Sequence, residues 1–307
     1  MKINKKQIVN RFKNYFTSAR GGKRIPYRTG LAMIGWFCNT SYARNEYFRK
    51  KVHLINTFLQ ETGIKESNPE LISKMLNAFF LKKWRVMAMS NLSDRKFKKY
   101  IHINNLDIFQ EHYEKGRGVI MLGSHVGLAE IAISMFPRMG YKEFHTIVGV
   151  GAANSLKFTG INQHRKSNPL VFDSFSDADL FKLMIKAKHV LEEGGIIHVL
   201  GDGYHGKSSI TFPFIGKLRG FRGSYAELAL STGAEIMPLF IMPGKHGQIT
   251  VDIRRPLDKG KEDQSRKDRT EHIINQYVNQ LAEEWKNKPE YINWGHMEKY
   301  LHHVDQQ

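Results

Sequence analysis

The spacing of apolar residues along the chain changes near residue 118. Between Asn45 and Ser90, apolar side chains recur three or four positions apart, which is the period of a helix with one buried face. From Gly118 onward, short apolar runs alternate with helical stretches. The runs lie at 119–122, 146–150, 170–172, 196–200, 235–241 and 249–253. Such alternation predicts a β-sheet flanked by helices.

Helical spacing also predicts where the intervening helices lie. The candidates are Leu128–Arg138, Ala153–Arg165, Ala178–Glu193, Gly223–Thr232 and a final helix over about Ser265–Lys286 that stops near Pro289. We therefore expect an α/β fold, with a mixed central sheet flanked by helices and an N-terminal helical layer. A single domain over 1–307 is the simplest organisation, with the helical layer in 1–100 and the α/β core in 101–307.

One short motif suggests that the protein binds a nucleotide. The sequence GDGYHGKS, from Gly201 to Ser208, matches the pattern G-x-x-x-x-G-K-[ST], whose backbone amides and lysine cradle phosphates between a strand and a helix. The run at 196–200 supplies the strand, but SITFPFIGKLRG after it contains a proline, glycines and β-branched residues. An irregular or β segment is expected there instead of a helix, which argues against nucleotide binding.

Composition narrows the class of protein without choosing a function. The chain has 307 residues, of which 41% are hydrophobic, so it can bury a sizeable core. Its one cysteine, Cys38, rules out an intramolecular disulfide and a cysteine-rich metal site. Lysine and arginine number 47 against 29 acidic residues, a net charge of +18. Such a surface attracts polyanions: nucleic acid, anionic lipid headgroups or an acidic protein.

The N-terminal region carries no segment that predicts secretion or membrane spanning. Its basic, amphipathic start lacks the apolar core and cleavage site of a signal peptide. The apolar run Gly30–Cys38 is too short for a bilayer, which needs about 20 residues. Any membrane contact is expected to be peripheral, with this region lying in the interface. The alternative is a pair of helices that packs on the core and exposes its lysines.

A candidate general base follows the first apolar run. His125 lies just beyond the strand at 119–122, between Gly123 and Gly127, and Glu130 comes five residues later. If the helix starts near Gly127, Glu130 falls in its first turn and can reach back to the imidazole. A carboxylate on one ring nitrogen raises the basicity of the other, as a base acting on a hydroxyl requires. The alternative is a structural histidine, with Glu130 placed at a helix N-terminus by the helix dipole.

The segment GRGVIMLGSHVGLAE, Gly116 to Glu130, resembles the His-x4-acid segment of the glycerolipid and lipid A acyltransferase superfamily. Its glutamate is similar to that of the lipid A late acyltransferase branch, the lauroyl and myristoyl transferases. Three further segments resemble this branch in the same order along the chain. They are RKKVHLINTFLQ before the core, the block Phe212–Ile241, and PEYINWGH at Pro289–His296.

The resemblance implies an acyltransferase. Such an enzyme moves a fatty acyl group from acyl carrier protein or coenzyme A to a hydroxyl or amine of a lipid or glycolipid. The resemblance implies His125 as general base, Glu130 as the acid that orients it, and substrate-binding roles for Asp202 and Arg165. Arg165 would bind phosphate or steady charge, or else it is an ordinary surface arginine. No cofactor or metal is expected apart from the acyl donor.

The chain also departs from this family. We expect no N-terminal membrane-spanning helix like the one usual in the family, and Leu128 and Ala129 stand where the family often has asparagine and tryptophan. The acceptor is therefore open among a lipid A precursor, an aminolipid, a glycolipid and a natural-product scaffold. The basic charge suits both acidic acyl carrier protein and an anionic membrane surface. We expect a peripheral protein on the cytoplasmic face of a bacterial inner membrane.

Two other functions fit some of the same residues. A basic nucleic-acid-binding protein would use His125 and Glu130 structurally, but the lysines are scattered and no base-reading motif occurs, so no nucleic acid is expected. A metal-dependent hydrolase would use His125, Asp202 and His205, although the sequence has no tight pair of histidine or cysteine ligands.

Overall fold

The protein is described by a computed structural model for residues 15, 21, 24–41, 48–141, 143–149, 168–172, 177–203 and 209–302. The helices in these ranges are α1 Tyr27–Cys38, α2 Arg49–Thr62, α3 Pro69–Ser90, α4 Asp94–Tyr100, α5 Leu106–Glu114, α6 Ile131–Arg138, α7 Asp177–Glu192, α8 Ser224–Thr232, α9 Arg266–Asn287 and α10 Trp294–His302. The strands are β1 Ile101–Asn104, β2 Val119–Gly123, β3 Phe144–Gly149, β4 Asn168–Phe172, β5 Ile196–Leu200, β6 Ser209–Phe214, β7 Lys217–Arg222, β8 Glu235–Pro243 and β9 Ile249–Ile253.

Seven of these strands form one mixed sheet in the order β1-β9-β8-β2-β5-β3-β4. All neighbouring pairs are parallel except β8 and β9, which are antiparallel. The central strand β2 is buried along its whole length, as expected for a strand between two parallel neighbours with helices on both faces. β6 and β7 form a separate antiparallel hairpin.

The core lies on both faces of the sheet, because alternate side chains of a strand point to opposite sides. On β2, Ile120 and Leu122 pack in one cluster with residues of α8 and α9. Val119 and Met121 pack in the other, with residues of α1, α5 and α6. Both faces of β2 are therefore covered by helices.

The N-terminal helices form the predicted layer. The Asn68 side chain accepts a hydrogen bond from the Leu71 amide and caps α3, whose first residue is Pro69. α1 packs closely on α3 at Gly30, where an added Cβ would lie 2.1 Å from the Trp84 ring. No helix in the described ranges is long and apolar enough to span a bilayer.

The predicted α/β class with a flanked central sheet is confirmed. The runs at 196–200 and 249–253 are strands with those same bounds, and the other four predicted strands differ by a few residues at their ends. Leu128–Arg138 is helical only from Ile131, and Ala153–Arg165 lies outside the described residues. The β6–β7 hairpin confirms that β structure, not a helix, follows Gly201–Ser208.

Candidate active site

The sheet register brings two sequence-distant side chains together. Parallel strands β2 and β5 pair with Gly123 opposite Leu200, so both strands end at the same level. His125 and Asp202 each lie two residues beyond their strand. The loops after adjacent parallel strands converge at the carboxyl edge of a sheet, where α/β proteins commonly place functional groups.

His125 is held by Asp202 through two contacts. The His125 ring nitrogen Nδ1 lies 2.7 Å from Asp202 Oδ1, and the His125 backbone amide donates to Oδ2 at 2.8 Å. The Asp202 side chain is fully buried, whereas 36% of the His125 side chain is exposed. A carboxylate accepts from Nδ1–H and so fixes the tautomer in which Nε2 carries the lone pair. This is the arrangement of a general base.

Glycines allow the two loops to approach their supports. Gly127 has φ +75°, and an added Cβ would lie 2.2 Å from the Ile241 carbonyl oxygen. At Gly201, a Cβ would lie 2.7 Å from the Tyr277 ring, whose hydroxyl donates to the Gly123 carbonyl at 2.7 Å. The Gly201 amide donates to the same carbonyl at 3.0 Å. The loop that carries Asp202 is therefore tied directly to the end of β2.

Asp202 is ionised despite its burial. Burial alone raises the pKa of Asp202, but the interaction with His125, including its hydrogen bond, and the charge of Arg219 oppose this effect, and the pKa lies well below its usual range. Arg219, in β7, is also buried and donates from NH2 to the Asp202 carbonyl oxygen. Its guanidinium lies 4.5 Å from the centre of the Phe221 ring and 5.0 Å from that of Phe214.

A second histidine packs against this pair. His296, in α10, has Nδ1 3.8 Å from Asp202 Oδ2, and its ring centre lies 4.4 Å from that of His125. Burial lowers the pKa of His296 to about 3, so its ring is neutral near pH 7. The imidazole packs beside His125 without adding a charge.

The same three side chains have the chemistry of metal ligands. One ligand atom each from His125, Asp202 and His296 lies within 4.8 Å of the others. Arg219 acts on both Asp202 and His296, and a fixed positive charge opposes a divalent cation there. His205, which the hydrolase interpretation used, lies outside the described residues.

Glu130 occupies a different position from the one expected. The hydrogen bonds of His125 go to Asp202, whereas Glu130 Oε1 lies 3.2 Å from Lys82 Nζ in α3. The acid that contacts the imidazole is therefore Asp202. Because α6 begins at Ile131 instead of near Gly127, Glu130 does not lie within its first turn. The other Glu130 oxygen is buried without a hydrogen-bond partner among the described residues.

Sequence reasoning anticipated part of this cluster. It singled out His125 and Asp202, but assigned Asp202 to substrate; Arg165 lies outside the described residues. It missed His296 as a site residue, although PEYINWGH had been noted for its resemblance. Arg219 lies between Lys217 and Arg222 in a basic stretch, so the sequence does not mark it as a site residue.

A small cleft opens beside the loop that carries His125. The cleft lies between α3, the loop after β2 and the residues before α10. Its walls include Phe79, Lys82, Gly127, Leu128 and Asn293. A ligand in this cleft would contact the backbone two residues from the candidate base.

Comparison with known protein families gives one match of nearly full length. Residues 32–298 match the family described as bacterial lipid A biosynthesis acyltransferases. The matched range includes His125, Asp202, Arg219 and His296. A comparison with curated proteins gives no match.

Proposed function

Because the chain belongs to the bacterial lipid A biosynthesis acyltransferase family, and so is an acyltransferase that acts on lipid, we propose that His125 is its general base and Asp202 the acid that orients it. The observation that carries this proposal is the 2.7 Å contact between His125 Nδ1 and the buried Asp202 carboxylate. Because Nδ1 makes this contact, the other ring nitrogen of His125, Nε2, can take a proton from the acceptor.

The proposed reaction is a direct acyl transfer. His125 Nε2 removes the proton of an acceptor hydroxyl or amine as that group attacks the carbonyl carbon of an acyl thioester. The Asp202 carboxylate stabilises the imidazolium that forms. The tetrahedral intermediate then collapses, the carbon–sulfur bond breaks, and the proton returns from His125 to the leaving thiolate. The products are the acylated lipid and the free thiol of coenzyme A or acyl carrier protein.

The acceptor is proposed to lie along the cleft beside His125. Lys82 lines that cleft and forms an ion pair with Glu130, so the pair offers both a donor and an acceptor of hydrogen bonds. We propose that these two side chains contact polar groups of a lipid or glycolipid. Arg165 is proposed to bind phosphate or other negative charge of the substrate.

The acyl donor and the membrane are proposed partners on grounds of charge and exposure. A net charge of +18 favours acidic acyl carrier protein and an anionic bilayer. On α1, Trp36 is 72% exposed and Met33 39%, and Arg28 of the same helix is also exposed. Apolar and basic groups on one exposed helix suit peripheral binding to the cytoplasmic face of the inner membrane.

The decisive test is acyl transfer itself. Purified protein and His125→Ala are incubated with acyl-coenzyme A or acyl carrier protein donors and total bacterial lipid, and products are identified by mass spectrometry. An acylated lipid made by the wild type and not by the variant supports the proposal. Equal product from both proteins would eliminate His125 as the base. If neither protein reacts, salt-dependent nucleic-acid binding is measured next.

A further inference from the structure

Arg219 is a buried charge that the proposed reaction does not use. It lies in the middle of β7, opposite Phe212 of β6, and is 2% exposed. Burying a guanidinium costs several kcal/mol unless other groups compensate its charge and bind its donors. The position of Arg219 therefore depends on what compensates it.

The compensating groups belong to Asp202. The Arg219 NH2 group donates to the Asp202 carbonyl oxygen, and the guanidinium acts electrostatically on the Asp202 carboxylate. The rings of Phe214 and Phe221 cover the guanidinium. A charge buried against two aromatic rings is shielded from water, so its interaction with a buried carboxylate is stronger than at the surface.

Among the groups that act on Asp202, Arg219 carries the permanent charge. His296 is neutral near pH 7 because of its burial. His125 must be neutral before the reaction, since a protonated imidazole cannot act as a base. Until the proton moves, Arg219 is thus the group among these three that carries a positive charge, and this charge favours the ionised carboxylate.

We propose that Arg219 is a positioning residue for acyl transfer: it fixes the Gly201–Gly203 turn through the Asp202 carbonyl and keeps the Asp202 carboxylate charged against His125. This inference rests on the proposed function of His125 as base. Without Arg219, the buried carboxylate takes up a proton more easily. A protonated Asp202 no longer stabilises the imidazolium, so the transfer step slows while substrate binding persists.

The experiment compares Arg219→Gln, which removes the charge but retains a hydrogen-bond donor, with Arg219→Lys, which retains a charge. Arg138→Gln is the matched control. Arg138 is likewise buried, donates to the Ser90 and Leu92 carbonyls at 2.8 and 3.0 Å, and lies 4.5 Å from the Phe97 ring centre. Steady-state kinetics give kcat and KM. Proton NMR of full-length protein reports the hydrogen-bonded Nδ1–H of His125 without any need for turnover.

Arg219→Gln is expected to lower kcat by about 100-fold with little change in KM, since its effect falls on the transfer step. The kcat of Arg219→Lys is expected to be at least about tenfold higher than that of Arg219→Gln. The downfield Nδ1–H resonance should weaken in Arg219→Gln and persist in Arg138→Gln. An unchanged kcat and resonance in Arg219→Gln would overturn the proposal, as would an equal loss in Arg138→Gln. If the wild type proves inactive, the resonance alone decides, which separates this inference from the proposed function.

A double variant tests the same idea if Arg219→Gln folds poorly. Arg219→Gln combined with Asp202→Asn removes both charges, so neither is left buried without compensation. We expect this protein to unfold at a higher temperature than Arg219→Gln alone. A double variant no more stable than the single one would show that Arg219 does not compensate Asp202, and the proposal would fail.

Discussion

Two histidine–aspartate pairs in this protein have nearly the same length and different surroundings. His125 Nδ1 lies 2.7 Å from Asp202 Oδ1, and His272 Nε2 lies 2.8 Å from Asp258 Oδ2. The Asp202 side chain is fully buried, whereas 71% of the Asp258 side chain is exposed. The length of the contact therefore does not distinguish a candidate catalytic pair from a surface pair.

The difference lies in what else holds each carboxylate. Asp258 lies between β9 and α9, and its pKa is lowered mainly by the hydrogen bond from His272. Water and salt screen such an exposed pair, which typically contributes about 0–1 kcal/mol. Asp202 also accepts from the His125 amide and lies in a turn tied to Gly123 and Arg219. Preorganisation of this kind is what lets a carboxylate orient a base.

The largest contrast is expected when each histidine is removed. His125→Ala should lower kcat by at least about 1,000-fold, because no other group at that position can accept the acceptor's proton. His272→Ala should leave kcat within about twofold, since exposed surface changes rarely affect a remote site. Both are measured as acylated product per unit time under saturating donor. Comparable losses in the two variants would mean that burial does not separate the pairs.

Removing the carboxylate charge should have the next largest effect. Asp202→Asn is expected to lower kcat by about 100- to 10,000-fold, because the amide favours the wrong tautomer and leaves the imidazolium unstabilised. Glu130→Gln should lower kcat less, since Glu130 contacts Lys82 and not His125. Kinetics of the two variants side by side give the order of the two acids. The reverse order would return the orienting role to Glu130.

The turn that carries Asp202 should be destabilised by a larger side chain at Gly201. Gly201→Ala places a Cβ 2.7 Å from the Tyr277 ring, so the ring or the turn must shift. We expect a destabilisation of about 1–3 kcal/mol, seen as a lower midpoint in urea unfolding. Gly203→Ala is the matched control, because its Cβ would meet no atom of the described residues within 4 Å. Equal midpoints for the two variants would show that the turn adapts without cost.

The smallest effect is expected at the surface pair. Asp258→Asn removes the charge that pairs with His272, and we expect unfolding free energy to change by less than about 1 kcal/mol near pH 7. The folded-state pKa of Asp258 is lowered, so its contribution is present above the unfolded pKa and is lost as pH falls. Urea unfolding of both proteins on either side of that pH range measures it. A larger change would show that this pair is structurally coupled to the core.

Much of the local structure was predictable because burial leaves a periodic trace in the sequence. Strands β5 and β9 follow directly from continuous or alternating apolar runs, and the β character of Ser209–Arg222 follows from its proline, glycines and β-branched residues. β1 was not predicted, because Ile101–Asn104 is only four residues long. Its His102 is exposed and its other three residues are only partly buried, so the strand has no clear apolar pattern. The predicted position of Glu130 was wrong, because the residue at which α6 begins depends on how the loop after β2 packs against Ile241.

The sequence alone determined that a histidine and an aspartate each follow a buried strand, since both strands and both strand ends are marked by local patterns. Only the tertiary structure decided that those strands are neighbours, although His125 and Asp202 are 77 positions apart in the sequence. It also brought Arg219 from the β6–β7 hairpin to the Asp202 carbonyl oxygen and His296 from α10 to the Asp202 carboxylate. Periodicity records which residues are buried, whereas strand order depends on the packing of the whole core, so no local pattern could assign these partners.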